Sequence, residues 1–493
     1  MKKILYIILI ITSISCYDHP LKVRKALKYS GENRKELEKA LKHYKANPAD
    51  SLKYKAACFL IENTIGKYSY YERYWDKNGK EIPVHTIYSK TQEETIEKID
   101  SISRITSRIE KVIQPDIEYI TANFLTANIE AAFESWQLPW AAHVSFDDFC
   151  MHILPYRCLD EPLLSQDWRN KIKRQYSWLF DSLKNQCDPI KACILINESM
   201  KNLYYDGYAS FDSIFFYTRD ITCRELAYTA AFLMRAMGLA TTIDEVPFWP
   251  SANLGHLWCT VQDTMGNRIA FNPGWESPGT EFAQKWRYAK VYRREYGINV
   301  NSLLLLHKKS SLLPLFKQLT LHDVTKEYTS CSDLSFKISE KDINISYLAV
   351  YNNGEWKPTA WSEIKKGMAN FKDIGNDQIL YRLIIDYDKR IMSKYPFILD
   401  KQSNIKYLKP NTSNSVSIEI NEYANEKIEP QKPFELYYFE NYWHYLLSAN
   451  SDEDGILRLN NVPGDALFLL QKSGSFDDYA RPFIIGNSKR IFK

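Results

Sequence analysis

The segment TCRELAYTAAFLMRAMGL, residues 222–239, decides the fold because it predicts a helix with a cysteine at its first position. Thr222 and Glu225 have the spacing of a capping box, which makes Thr222 the N-cap and Cys223 the first helical residue. Apolar residues then recur at helical spacing, and Gly238 supplies the stop. Free amides and the helix dipole favour a thiolate at this end, so a reactive thiol is predicted. The alternative for a lone cysteine is an ordinary buried thiol.

A β-hairpin is predicted downstream of this helix. Apolar and other residues alternate through GHLWCTV, residues 255–261, and again through RIAFNPG, residues 268–274. The turn between the two strands is expected near residue 264 or 265. His256 and Asn272 then lie on the same face of the hairpin and nearly opposite each other.

Three side chains therefore form a predicted catalytic site. A histidine that is hydrogen-bonded by a carboxamide and directed at a thiol is an arrangement that activates a cysteine nucleophile. Cys223 is the predicted nucleophile and His256 the predicted general base and acid. Asn272 is the third member, because its carbonyl oxygen can fix the tautomer and the ring angle of His256.

These residues together resemble the core of the transglutaminase-like superfamily. The shared features are a cysteine followed by an acidic residue, Arg-Ala-x-Gly at residues 235–238, His-x-Trp at 256–258 and Asn-Pro at 272–273, where members carry Asp-Pro. The resemblance implies a papain-like core and gives Cys223, His256 and Asn272 the roles stated above. Asn272 departs from the acidic residue of the family and matches the papain variant of the triad.

Two parts of the predicted site stay open. Glu276 can add a carboxylate if the loop of residues 274–278 folds back, but the predicted site does not include it. An oxyanion hole needs donors ~3 Å from the developing charge, and the backbone amide of Cys223 is one predicted donor. No residue between Asn197 and Asp220 matches a pattern that identifies a second donor.

The resemblance implies thiol acyl transfer or hydrolysis at peptide or amide bonds. The expected substrate is a protein or peptide, with cell-wall peptide as one candidate. Hydrolysis is favoured over cross-linking, because exported bacterial members of the superfamily resemble proteases or amidases. The alternative is a non-catalytic binding lipoprotein, in which the papain-like core is a scaffold and the C-terminal β domains bind glycan or peptide.

The first 16 residues resemble a bacterial lipoprotein signal peptide. Two lysines precede a short apolar run at residues 4–11, and the small Ser15 precedes Cys16. The apolar run is too short to span a bilayer as a stable anchor. We therefore expect export, lipidation of Cys16 and a membrane-anchored lipoprotein of the cell envelope, facing the periplasm or the cell surface. A secretory signal without lipidation is the alternative.

Composition excludes several classes of function. The formal net charge is only +4 over 493 residues, with Lys and Glu interspersed, so no electrostatic footprint for nucleic acid is present. Neither the cysteines nor the histidines show the spacing of a metal site, and we predict no metal and no cofactor. The cysteines other than Cys16 are expected to be mostly buried free thiols, although Cys187 with Cys193 or Cys150 with Cys158 can pair.

The chain as a whole predicts an α+β fold in several domains. Two or three packed helices are expected over residues 19–70, and a long polar helix over 91–111. The aromatic stretch 123–168 either lines a substrate cleft or packs between regions, and packing is favoured. The expected divisions are a signal peptide at 1–16, a helical region at 17–122, a transglutaminase-like core at 123–310, and two sandwich-like all-β domains at 320–400 and 405–493.

Overall fold

The computed structural model describes residues 19–82, 92–183, 187–201, 222–280, 287–307, 312–423, 426–475, 477, 479–486 and 489–492. The predicted signal peptide and Cys16 lie outside the described residues, as does most of the segment before Cys223 that offered no second oxyanion donor. Among the helices described, none combines the length and the apolar composition needed to cross a membrane.

Helices dominate the N-terminal half, and the predicted α+β class is confirmed. Two or three helices were predicted over residues 19–70, and three are present, α1–α3, which share one apolar core with α5 and α6. The described α-helices are α1 (Leu21–Tyr29), α2 (Arg34–Lys45), α3 (Ser51–Glu62), α4 (Gln92–Ile105), α5 (Ala122–Trp136), α6 (Phe146–His152), α7 (Trp168–Gln175), α8 (Trp178–Leu183), α9 (Pro189–Ser199), α10 (Cys223–Ala236) and α11 (Leu303–Leu306).

A three-stranded antiparallel sheet interrupts the helical region, which the sequence analysis did not predict. Its strands are β1 (Tyr68–Asp76), β2 (Glu81–Ile82) and β3 (Thr106–Pro115), in the order β2-β1-β3. The predicted helix over residues 91–111 is therefore wrong beyond Ile105. Tyrosines of β1 lie opposite isoleucines of β3, Tyr70 at Ile113 and Tyr74 at Ile109. Such aromatic and β-branched pairs stabilise a sheet, and they favour a strand beyond Ile105 although the spacing of the isoleucines also fits a helix.

The central layer is helix α10 packed on a five-stranded antiparallel sheet. The strands are β4 (Thr241–Val246), β5 (His256–Gln262), β6 (Arg268–Phe271), β7 (Tyr292–Arg294) and β8 (Leu321–Asp323), in the order β6-β5-β4-β7-β8. Ala227, Ala230 and Leu233 of α10 belong to the same buried cluster as Cys259 and Phe271 of the sheet. The predicted helix and hairpin are both present and pack against each other.

The C-terminal end of α10 is held by side chains from the preceding region. Ser135 Oγ donates to the Ala236 carbonyl at 2.8 Å, and Trp140 Nε1 donates to the Met237 carbonyl at 2.6 Å. These bonds satisfy carbonyls that a helix end leaves without partners. Trp140 is fully buried here, and most other rings of the aromatic stretch pack against α1–α3. These aromatic side chains of residues 123–168 therefore pack between regions of the protein, as the favoured prediction stated.

The C-terminal region is rich in antiparallel β-sheet, as predicted. An eight-stranded sheet has the order β16-β15-β13-β10-β11-β12-β9, with β14 paired to β13, and encloses its own apolar cluster. Its strands are β9 (Cys331–Lys337), β10 (Ile345–Asn352), β11 (Glu355–Lys365), β12 (Met368–Gly375), β13 (Ile379–Asp386), β14 (Ile391–Met392), β15 (Phe397–Leu399) and β16 (Ile405–Tyr407).

The last part of the chain consists of short antiparallel sheets with a separate apolar core. A five-stranded sheet of order β21-β20-β23-β24-β25 packs against the pair β17-β22, and β18 pairs with β19. The strands are β17 (Asn411–Ile420), β18 (Glu422–Tyr423), β19 (Glu426–Lys427), β20 (Pro433–Glu440), β21 (Tyr442–Asn450), β22 (Leu457–Gly464), β23 (Phe468–Lys472), β24 (Phe483–Gly486) and β25 (Lys489–Phe492).

The cysteines of the described residues are all free. Neither of the two pairs that the sequence allowed, Cys187 with Cys193 or Cys150 with Cys158, forms a disulfide. Four thiols are buried, Cys158, Cys223 and Cys331 are half-buried, and Cys187 is exposed. Cys223 thus differs from the buried thiols of the core in being open to a second reactant.

Candidate active site

The N-terminus of α10 has the predicted capping box. Thr222 has extended backbone dihedrals, and its Oγ1 accepts the Arg224 N–H at 3.3 Å. Glu225 returns the interaction, because its carboxylate accepts the Thr222 N–H at 3.1 Å. The two bonds fix the point at which the helix begins. Cys223 is therefore held at the first helical position, at the positive end of the helix dipole.

The hairpin has the predicted turn but a slightly different register. Cys259 lies opposite Phe271 and Gln262 opposite Arg268, so the turn is centred at Met265. Continued by one residue, this register places Asn272 beside residue 258 rather than directly opposite His256. Diagonal neighbours on a sheet are still ~7 to 8 Å apart at Cα, within reach of two such side chains. His256 Nε2 and Asn272 Oδ1 are accordingly 3.0 Å apart.

Glu276 fixes the orientation of the Asn272 carboxamide. Asn272 Nδ2 donates to the Glu276 carboxylate at 2.5 Å. An ionised carboxylate only accepts, so the amide nitrogen must face Glu276 and Oδ1 must face the histidine. Because the amide oxygen Oδ1 can only accept a hydrogen bond, Nε2 of His256 must carry the proton that it donates. The neutral ring therefore has its Nδ1 lone pair free for the thiol of Cys223.

The loop after β6 folds back, and Asn197 of α9 holds it. Glu276 N–H donates to the Asn272 carbonyl at 3.0 Å. Asn197 is fully buried, and its carboxamide accepts the Gly274 N–H at 2.8 Å and donates to the Glu276 carbonyl at 3.2 Å. Asn197 was not predicted to support the site, and the predicted site does not include Glu276. The signal available for Glu276 was an acidic residue four positions after Asn272.

The electrostatics of the site favour a thiolate. Burial by itself raises the pKa of the Cys223 thiol, but hydrogen bonds from His256 and from the Leu257 N–H, together with the charge of His256, lower it overall. Glu225 opposes this to a smaller extent. The net effect is a larger fraction of nucleophile near neutral pH than an ordinary cysteine has.

His256 is shifted in the complementary direction. Burial lowers its pKa, but hydrogen bonds to Cys223 and Asn272 and the negative charges of Cys223 and Glu276 raise it overall. A lowered thiol pKa beside a raised imidazole pKa favours transfer of the proton from sulfur to nitrogen. The three predicted residues are thus brought together, and the pair can exist as thiolate and imidazolium.

A buried network supports the strand that carries His256. Trp258, two residues along β5, is fully buried, and its ring lies 6.0 Å from that of His256 at an interplanar angle of 25°. Trp258 Nε1 donates to the Tyr328 hydroxyl at 2.9 Å, and that hydroxyl donates to Asp244 at 2.6 Å. Arg293 donates to both oxygens of Asp244, at 2.9 and 2.8 Å. These hydrogen bonds hold the Trp258 ring that packs beside the imidazole of His256.

The space beside the sulfur contains one usable oxyanion donor. In the part of the chain that the structure describes, the backbone N–H of Cys223 has no acceptor. It can therefore donate to a charge that develops next to the sulfur. No second donor is assigned among the described residues. The same residues contain no cluster of three His, Cys, Asp or Glu side chains that could hold a metal ion.

Comparison with known proteins adds no relative. No family model matches the chain, and a search of the curated proteins finds no match. The resemblance to the transglutaminase-like superfamily therefore stays a prediction from the sequence of residues 222–239, 256–258 and 272–273.

Proposed function

We propose that this protein is a thiol acyltransferase or hydrolase that acts on peptide or amide bonds, with a papain-like core of the transglutaminase type. The observation that carries the proposal is the position of His256, whose Nε2 lies 3.0 Å from Asn272 Oδ1 and whose ring lowers the pKa of the Cys223 thiol. The packing of α10, which begins at Cys223, against the antiparallel sheet in which β5 begins at His256 supports such a core.

The first chemical step forms a thioester. The Cys223 thiolate attacks the carbonyl carbon of the substrate, and the carbonyl oxygen takes up negative charge beside the Cys223 N–H. The C–N bond then breaks. The imidazolium of His256 gives its proton to the departing amine, and the acyl group stays on the sulfur.

The second step releases the acyl group. Water, or an amine in a transfer reaction, attacks the thioester carbonyl while neutral His256 takes its proton. The C–S bond breaks and the thiolate is regenerated. A positioned general base and acid of this kind typically contributes about 10² to 10⁴ in rate. Asn272 and Glu276 keep the ring in the orientation that both proton transfers need.

Export and lipid anchoring are part of the proposal, supported by the sequence of residues 1–16. Replacement of Cys16 by serine is expected to move the protein from the membrane fraction to the soluble fraction. Unchanged fractionation would argue against lipidation at Cys16.

The proposed chemistry is tested with peptide mixtures, cell-wall fragments and hydroxylamine, with products read by mass spectrometry. Hydroxylamine is an amine nucleophile that converts a thioester to a hydroxamate and so reports an acyl-enzyme. We expect cleaved peptides, and hydroxamates when hydroxylamine is present, from the unaltered protein and from the Cys187→Ala variant. Cys187 is an exposed thiol outside the site and gives the matched control.

The Cys223→Ala variant separates catalysis from binding. If the proposal holds, this variant forms neither product. Products that persist in Cys223→Ala would exclude Cys223 as the nucleophile. Peptides or glycans that bind equally to both proteins and are never cleaved would support the alternative, a binding protein built on the same core.

A further inference from the structure

A cavity of about 350 Å³ begins one residue away from the proposed nucleophile. Its wall includes the side chain of Arg224, the second residue of α10, which is ion-paired with Asp160. The rest of the wall comes from residues 66–68 and Ile113, from residues 157–160, from Arg235, from residues 294–296, and from the segment between α11 and β8. The cavity therefore lies where the N-terminal region, the central layer and the linker to the β domains meet.

A buried ammonium group lines this cavity. Lys67 is only 7% exposed. Its Nζ donates to the Tyr296 carbonyl at 2.8 Å and lies 4.2 Å from the centre of the Tyr296 ring. No carboxylate oxygen of the described residues lies within 4.0 Å of Nζ. A buried charge without a counter-ion is unfavourable, and an anion that enters the cavity would compensate it.

A second buried cation faces the same space. Arg235 is 2% exposed and lines the cavity. It donates to the carbonyls of Thr241 and Arg157 and to the sulfur of Cys158, and within the described part of the chain no carboxylate pairs with it. The nearby Arg157, by contrast, is satisfied by Asp116.

The shift in Lys67 agrees with this unbalanced charge. Burial lowers the pKa of Lys67 to about 7; Asp116 opposes the change, and Arg157 and Arg235 add to it. A negative group placed in the cavity would relieve the repulsion among these cations and hold Lys67 in its charged form.

We infer that this cavity is a subsite for a carboxylate of the peptide substrate, an inference that rests on the proposed function. A peptide carries carboxylates at its C-terminus and on acidic side chains, and both suit an arginine and a lysine as donors. Arg224, which lines the cavity, follows Cys223 at the start of α10, so such a peptide would extend from the cavity toward the N-terminus of this helix. The site therefore selects acidic peptides.

The inference is tested by calorimetric titration of the full-length Cys223→Ala protein, which binds without turnover. One pair of probes is acetyl-Ala-Ala-Glu-Ala-Ala-amide and its Gln counterpart. The other pair is acetyl-pentaalanine with a free C-terminal carboxylate and the same peptide as an amide. Charged hydrogen bonds lead us to expect binding about tenfold tighter, or more, for the acidic member of at least one pair. The pair that responds identifies the source of the carboxylate.

Three further variants in the Cys223→Ala background locate the effect. Lys67→Met should abolish the preference for the acidic peptide. Lys317→Gln, an exposed position on the cavity wall that does not endanger folding, should reduce it. Lys389→Gln, exposed and ion-paired with Asp386 in the C-terminal region, should leave it unchanged.

Equal or absent binding of both members of both pairs would overturn the inference, as would a preference that survives in Lys67→Met. If Lys67→Met does not fold, the comparison of probes and the Lys317→Gln variant decide. A clear preference for acidic peptides that the unaltered protein never cleaves would count against the proposed function and leave the carboxylate site standing. Cleavage of peptides without any preference for the acidic ones would support the proposed function and count against the carboxylate site.

Discussion

Asn272 donates its amide N–H to the Glu276 carboxylate at 2.5 Å, while its carbonyl oxygen faces His256 at 3.0 Å. A neutral carboxamide thus connects an imidazole to a carboxylate. Asn272 fixes the tautomer of His256, and Glu276 supplies the negative charge that an asparagine lacks. The negative charge of the site lies one side chain further from the histidine than a directly bonded aspartate would place it.

The Glu276→Gln variant removes that charge and should narrow the pH range of activity. The negative charge of Glu276 raises the pKa of His256, so its loss lowers that pKa. The active form needs the proton on His256, and the alkaline limb of kcat/KM therefore moves to lower pH. We expect a loss of about tenfold in kcat/KM at neutral pH, measured on whichever peptide the protein cleaves.

The matched control for this prediction is Glu198→Gln. Glu198 is an exposed carboxylate that accepts from Ser277 in the same loop but does not touch Asn272. The Glu198→Gln variant should leave both the acid limb and the alkaline limb of the kcat/KM profile unchanged. Reduced activity of Glu276→Gln with an unmoved alkaline limb would mean that Glu276 only shapes the loop.

Asn272→Asp, which creates the acidic residue of the resembled family, should lower activity in this chain. The new carboxylate would lie against Glu276, and two carboxylates at this distance do not both ionise readily. We expect kcat/KM to fall by about tenfold. In the double variant Asn272→Asp/Glu276→Gln the repulsion is removed, and most of the activity should return. A single variant that is more active than the unaltered protein would contradict this account.

Iodoacetamide should label Cys223 at about pH 6, where an ordinary thiol with pKa near 8.5 is almost entirely protonated. Hydrogen bonds from His256 and the Leu257 N–H lower the pKa of Cys223 despite burial. The buried Cys193 and Cys259, whose pKa values are raised by burial, should stay unlabelled. Peptide mapping by mass spectrometry gives the extent at each cysteine.

The same labelling of the His256→Ala variant tests whether His256 activates the thiol of Cys223. Without the imidazole, the rate of labelling at Cys223 near pH 6 should fall by about a hundredfold. Labelling of the exposed Cys187 serves as the internal reference, because it reports the activity of the reagent and any unfolding of the variant. Equal labelling of Cys223 in both proteins would show that His256 does not activate the thiol.

Gly238→Ala should destabilise the fold through the junction behind α10. Gly238 has φ of +74°, and a Cβ there would lie 2.3 Å from the Ser135 carbonyl oxygen. Backbone strain of about 1 to 2 kcal/mol and overpacking of about 1 to 3 kcal/mol are expected together. Urea denaturation measures the loss. Gly279→Ala, with φ of +82° and no atom of the described residues within 4 Å, isolates the strain alone. Equal losses in the two variants would rule out the clash.

Much of the core was predictable because local interactions specify it. The capping box of Thr222 and Glu225 depends on residues three positions apart, and the alternation through His256 requires only a pleated strand. The α+β class followed from the same periodicities. The failure beyond Ile105 has an equally physical cause: the isoleucine spacing fits a helix, but pairing with the tyrosines of β1 continues the chain as a strand.

The sequence by itself determined that Cys223 starts a helix and that His256 and Asn272 lie on one face of a hairpin, because capping and alternation act over a few residues. Only the tertiary structure decided that Glu276 supports Asn272, since the loop is held by Asn197, 77 residues before Gly274 in the chain. It likewise decided that Lys67 and Arg235 share one cavity. Such contacts depend on which distant segments pack together, and no local pattern records that packing.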